Sequence, residues 1–175
     1  MKDILDVIVS RRSVKKFKSD AVEKELIDKV IKAGMYAPTG KNKQSPIIIA
    51  ITNKDVISEF SKICNKIKNY EEGLDPFYGA PVLLCVLADK SVRTYINDGS
   101  IVLENMLLEA HSLGLGACWI HDAKGMFETE YGKNLLHSLG ITGDYEGIGN
   151  CILGHAEIYP NTPLPRKDNW VYHID

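Results

Sequence analysis

Apolar residues fall into two regimes along this chain: short β-branched runs without polar interruption, and longer stretches where apolar positions recur every three or four residues. Ile47-Ile48-Ile49-Ala50-Ile51-Thr52, Val82 to Ala88, Ala117 to Ile120 and Ile148 to Leu153 belong to the first kind and predict buried strands. The second kind predicts helices. One is short, over Asp3 to Ser10. A longer one begins near Asp20, which forms a capping pattern with Glu23 and places Leu26, Ile27, Val30, Ile31 and Gly34 on one face. Asn53 caps a third helix, running to about Lys68 with Val56, Ile57, Phe60, Ile63 and Ile67 as its stripe. A fourth runs from Asn97 or Asp98 to Leu113 with apolar residues on most sides, which predicts an enclosed helix. A short fifth covers Glu128 to Leu139.

The punctuation agrees. Pro38 ends the second helix, and Ala37-Pro38-Thr39-Gly40-Lys41-Asn42 reads as loop. Gly114 can close the fourth helix in a left-handed conformation. Tyr70 to Gly79 reads as irregular, and the tail from Ile158 lacks a core-forming period although it carries Trp170 and Tyr172. Apolar bulk on such a tail suggests packing against another surface, for instance a second subunit. No repeat or linker interrupts the order, so residues 1–175 are expected to form one mixed α/β domain.

Composition narrows the function classes. The 175 residues carry 21 basic and 23 acidic side chains, a net of −2, which offers no global field for nucleic acid or an anionic membrane. No run approaches the roughly 18 apolar residues of a membrane span, and the early charges Lys2, Asp3, Asp6, Arg11 and Arg12 argue against a secretory signal, so a cytoplasmic location is expected. The cysteines Cys64, Cys85, Cys118 and Cys151 form no C-x-x-C pair and are expected to be reduced and structural. His155-Ala156-Glu157 lacks the P-C-x-x-C that a zinc deaminase needs. Gly147 to Ile152 lacks the third glycine of a dinucleotide fingerprint, and neither a Walker-A loop nor a G-x-S-x-G elbow is present. No two histidines have the close helical spacing of a metal pair, so no metal is expected.

Candidate chemistry lies elsewhere. Arginine is scarce, yet Arg11 and Arg12 are adjacent and followed by Ser13 and Lys15. Guanidinium groups, a hydroxyl and an ammonium together suit a phosphate; a solvated basic turn is the plainer reading of the same residues. Extended backbone here would point Arg11, Ser13 and Lys15 the same way. In the loop after the second helix, Gly40 permits close approach to a flat ligand, while Asn42 and Gln44 can donate and accept in its plane.

Taken in order, Arg11-Arg12-Ser13-Val14-Lys15-Lys16-Phe17, Ala37 to Gln44, Gly79-Ala80-Pro81, Gly114-Leu115-Gly116-Ala117-Cys118-Trp119-Ile120, Gly154 and Pro165-Arg166 resemble the FMN-dependent nitroreductase family. The resemblance spans essentially the whole chain. It implies an α+β sandwich whose central mixed, mainly antiparallel sheet is flanked by helices, in a homodimer with a domain-swapped tail and FMN at the interface. By carry-over, Arg11, Arg12 and Ser13 would hold the phosphate and ribityl chain, with Arg166 and Lys167 closing over it. Lys15 would face N1 and O2 of the ring. Pro38, Thr39, Gly40, Asn42 and Gln44 would line the ring from the second subunit, while Trp119, Ile120, His121 and Gly154 complete the pocket.

The implied activity passes electrons from NADH or NADPH through FMN N5 to a small acceptor, such as a nitroaromatic or quinone, with ping-pong kinetics. A cation beside N1 favours the reduced, negatively charged flavin. Enoate reduction, dehalogenation or a non-catalytic flavin-binding role are the alternatives within the same resemblance. The chain departs from the family pattern at Ser45-Pro46-Ile47, at His121 where glycine is common, and at His155-Ala156 where tyrosine and proline are usual. The acceptor pocket therefore does not follow from the pattern.

Overall fold

The computed structural model describes residues 3–71, 73–160 and 162–175. Residues 1, 2, 72 and 161, which fall in the N-terminal, irregular and tail segments read above, lie outside the described residues. The elements are α1 (Ile4–Ser10), α2 (Lys24–Met35), β1 (Pro46–Ile51), α3 (Lys54–Lys68), β2 (Val82–Asp89), α4 (Tyr95–Ser112), β3 (Gly116–Ile120), α5 (Ala123–Glu128), α6 (Glu130–Ser138) and β4 (Tyr145–Gly154).

The strands form one sheet in the order β1-β2-β4-β3, and every neighbouring pair is antiparallel. Among the described residues the parallel contribution is the bridge between Ser13 and Ala117. Every residue from Val82 to Ala88 is buried, so β2 needs cover on both faces. Its alternation divides the core accordingly. Val82, Leu84, Val86 and Ala88 pack with Val30 of α2 and Val102 and Met106 of α4. Leu83, Cys85 and Leu87 pack with Ile57 and Phe60 of α3 and Met126 and Phe127 of α5. The result is an α+β sandwich with helices on each side of an antiparallel sheet.

Local signals explain most boundaries. Asn53 caps α3 by accepting from the amides of Asp55 and Val56, at 2.9 and 3.2 Å. Gly114 takes φ +79 after α4, and the Leu115 amide reaches back to the Ala110 carbonyl at 2.9 Å.

β4 starts at Tyr145, three residues before the expected Ile148, and α4 at Tyr95; two further differences have a clear physical reason. α2 starts at Lys24 rather than near Asp20, and its cap, Glu23, makes no side-chain capping bond. The intervening stretch is needed elsewhere: Val22 is buried in the core, and the Lys18 amide donates to the His155 carbonyl at 2.9 Å. α5 lay unread between β3 and the fifth predicted helix. It is short and contains Gly125, a weak helix former, yet that glycine admits Ile67 of α3, and Gly147 of β4 lies against the backbone of Ala123. Packing holds a helix that propensity does not announce.

All four cysteines are free and buried. Burial pushes the Cys64 and Cys151 thiols up to about 12, with Asp122 adding to the effect at Cys64, and pushes Cys85 up as well. The unfolded chain ionises its thiols near the ordinary value of about 8.5 while the folded chain keeps these protonated. Their contribution is therefore complete below that value and is lost as pH rises above it. Urea unfolding midpoints are expected to fall between pH 8 and pH 10, with thiol reagents reacting only as the chain unfolds; a flat midpoint with fast labelling of the native protein contradicts this.

Candidate functional site

α1 ends at Arg11, whose amide still donates to the Val7 carbonyl at 3.1 Å. The chain then runs extended along the edge of the sheet. Ser13 bridges Ala117, the Val14 amide donates to the Ala117 carbonyl at 3.0 Å, and Phe17 bridges Ala156. Val14 and Phe17 are buried, which turns the intervening polar side chains outward.

Arg11 and Ser13 line a cavity of about 360 Å³ together with Ser100, Leu103, Glu104 and Leu107 of α4 and Trp119 of β3. Nε of Arg11 is buried without a hydrogen-bond partner. Arg12 is placed differently. Its Nη1 donates to the carbonyls of Val9 and Arg11, each at 2.8 Å, capping the end of α1, and its Nε is also buried and unpartnered. Lys15 lies with its ammonium 5.4 Å from the centroid of the Tyr78 ring. Tyr78 itself has φ +55, an uncommon conformation for a bulky residue. The turn is clamped by the Asp75 carboxylate, which accepts from the amides of Phe77 and Gly79 at 3.0 and 2.6 Å.

The second candidate region is the loop between α2 and β1. Lys41, Asn42 and Gln44 all adopt positive φ, near +50. The conformation is held from below by Asp98, 3% exposed, in the first turn of α4. Its carboxylate accepts from the Gly40 amide at 3.0 Å, the Thr94 hydroxyl at 3.0 Å and the Ser45 hydroxyl at 3.2 Å. Gly40 is required for a different reason than closeness to a ligand, since a Cβ there would sit 2.3 Å from the Thr94 hydroxyl. Asn42 and Gln44 bond to each other, Nε2 to Oδ1 at 3.3 Å, and the Gln44 amide donates to the Thr39 hydroxyl at 3.1 Å. Pro38, Thr39, Asn42 and Gln44 line a larger cavity of about 710 Å³, floored by the end of α2 and the start of β1. The two cavities share no lining residue.

The remaining candidates are spread out. Trp119, 48% exposed, borders the arginine cavity, and its ring centroid is 5.5 Å from that of His121. Ile120 pairs in register with the buried Asn150, whose Oδ1 has no partner. Gly154 is a packing residue: a Cβ would meet Phe17 and Pro81 at 2.8 Å. Arg166 and Lys167 sit on the exposed tail with local contacts, Arg166 Nη1 to the Leu164 carbonyl at 3.2 Å and Lys167 Nζ 5.5 Å from the Trp170 ring. Within one chain, then, Arg11, Ser13 and Trp119 come together, the 38–44 loop forms a separate wall, and Arg166 and Lys167 make local contacts on the exposed tail.

Chemically, the arginine cavity offers guanidinium and hydroxyl donors for an anionic group beside an indole face, while the larger cavity offers amide and apolar walls suited to a flat molecule. Asp98, Thr94, Tyr78 and Glu104 were not among the sequence candidates. Only Thr94 and Asp98 left a trace, as a hydroxyl and a carboxylate one turn apart near the start of a helix.

A model of the nitroreductase family matches residues 8–155. A relative from Methanothermobacter thermautotrophicus, provisionally named NADH dehydrogenase/NAD(P)H nitroreductase, is 33% identical over 126 residues. That match covers 67% of this chain and 60% of the relative, so the chain spans less than two thirds of its length. A nitroreductase structure with bound FMN from Bacteroides fragilis has a TM-score of 0.89 at 23% identity over 100% of both chains, a likeness of fold. Another with bound FMN, from Desulfitobacterium hafniense, has a TM-score of 0.85 at 26% identity, covering 99% of this chain and 100% of that one.

Replacing Asp98 by alanine leaves three donors without their acceptor and is expected to cost roughly 2–3 kcal/mol. Asp98→Asn, which keeps one acceptor oxygen, should cost less. Urea unfolding measures the loss, and tryptic cleavage at Lys41 and Lys43 should accelerate; unchanged stability and cleavage would show that Asp98 does not hold the loop.

Proposed function

Because the chain belongs to the nitroreductase family, we propose that it is an FMN-dependent oxidoreductase that takes electrons from NADH or NADPH. Its acceptor is a small molecule such as a nitroaromatic or quinone. We further take residues 1–175 to act as one FMN-binding domain in a homodimer of the cytoplasm, where four free buried thiols are at home.

The observation that carries this reading is the cavity shared by Arg11, Ser13 and Trp119, together with an Arg11 Nε that is buried without a partner. A buried guanidinium N–H left unpaired costs free energy unless an acceptor joins it, and a phosphate oxygen supplies one. The residues present therefore fit FMN. Arg11 and Ser13 would hold the phosphate, with Arg12 adding charge from the end of α1. Lys15 would supply the cation for the pyrimidine edge of the ring. The backbone around Trp119, Ile120 and His121 would meet the opposite edge. When bound, FMN supplies reversible electron transfer between a nicotinamide and the acceptor in alternating half-reactions.

The homodimer rests on what one chain leaves uncovered. Ile4, Leu5, Ile8 and Val9 of α1 are exposed, as are Leu164, Trp170, Tyr172 and Ile174 of the tail, with Trp170 66% exposed. A second copy covers such surface, and it can bring the 38–44 loop and Arg166 of one chain to the Arg11 cavity of the other.

Purified protein is expected to show the visible absorption of oxidised flavin and to bleach on anaerobic titration with NADH or NADPH. Arg11→Ala should weaken FMN about 10- to 100-fold, the scale of a lost charge-assisted contact, read by retention after dialysis. A chain that stays colourless after incubation with FMN would overturn the proposal. Sedimentation should give twice the 19.5 kDa chain mass, and truncation before Trp170 should shift the equilibrium toward monomer. A monomer holding FMN tightly contradicts the shared site.

A further inference from the structure

Enclosed polar groups also lie outside the two cavities and their loops. His111, 9% exposed, sits in the last turn of α4. Its Nδ1 is 2.6 Å from the Tyr159 hydroxyl and its Nε2 is 2.7 Å from the Ser10 hydroxyl. The His111 and Tyr159 rings stack with centroids 5.4 Å apart. The same Tyr159 oxygen receives the Arg12 amide at 3.1 Å.

An amide N–H can only donate, so the Tyr159 oxygen accepts from Arg12, and the same oxygen is hydrogen-bonded to His111 Nδ1. The Ser10 hydroxyl donates to the Asp6 carbonyl within α1, so its oxygen accepts from His111 Nε2. A chain of hydrogen bonds thus runs from the Arg12 amide through Tyr159, His111 and Ser10 into α1. It joins the end of α4, the segment after β4 and the helix that delivers Arg11.

We propose that His111 and Tyr159 are positioning residues that set the preference for a phosphorylated flavin over riboflavin, by fixing the Arg12 peptide and so aiming Arg11 and Ser13. The inference rests on the FMN reading above. Guanidinium–phosphate contacts depend on direction, so loosening that peptide weakens the phosphate contact while leaving the ring's contacts alone.

Tyr159→Phe removes the hydroxyl and keeps the stacked ring; Ser10→Ala interrupts the far end and serves if the first variant folds poorly. Each full-length variant and the parent, stripped of flavin, is titrated with FMN and with riboflavin by flavin fluorescence. The FMN Kd is expected to rise roughly three- to tenfold in Tyr159→Phe, the scale of one lost hydrogen bond, and less in Ser10→Ala, with the riboflavin Kd within twofold of the parent. Equal weakening of both flavins makes the relay merely structural and overturns the inference, as does no change in either. A parent protein that binds riboflavin as well as FMN removes the phosphate reading itself, whereas a parent preference that the variants retain removes only the relay.

Discussion

The rest of the molecule follows from the burial of β2 on both faces. With Val82 to Ala88 buried, neither face of the sheet can meet water, and helices must close both. α2 and α4 cover one side, and α3 and α5 the other. The glycines of β4 let neighbours approach the sheet closely: a Cβ at Gly147 would meet the Ala123 backbone of α5 at 2.4 Å, and one at Gly149 the Trp119 indole nitrogen of β3 at 2.5 Å. The candidate surfaces are what this packing leaves at the margins: the extended segment beside β3, and the turn between α2 and β1.

Both margins are held by polar contacts rather than apolar bulk. Three neighbouring non-glycine residues with positive φ cost about 1 kcal/mol or more each, and the Asp98 carboxylate, accepting from three donors, offsets this. On the other margin the Arg12 amide is fixed through Tyr159 and His111. A loop held in this way loses little freedom when a ligand arrives, which is how a small, shallow surface can bind well.

The parts of the fold that were readable in the sequence are those governed by local chemistry. The β-branched run at Ile47 is a strand, Asn53 caps α3, and Gly114 takes the left-handed turn, each decided by residues within a few positions. The start of α2 was misplaced because burial of Val22 outweighs the capping pattern at Asp20, and α5 went unread because its stability lies in contacts with Ile67 and β4. The candidate residues divide in the same way. Arg11, Ser13 and Trp119 meet because an extended segment alternates its side chains beside β3, a periodicity visible in the residues. The need for Gly40 was visible but its reason was not, since Thr94 lies far along the chain. Asp98 and His111 were invisible as anchors because their partners come from segments remote in sequence.

These two anchors lie on one helix. Asp98 is in the first turn of α4 and His111 in the last, about 20 Å apart at 1.5 Å per residue. α4 therefore serves both margins: the 38–45 loop is held at its start, the arginine segment is tied to its end, and the arginine cavity is lined between them by Ser100, Leu103, Glu104 and Leu107. Ile96 and Ile101 leave apolar surface exposed on α4 itself, which adds to the exposed apolar residues of α1 and the tail on which the proposed homodimer rests.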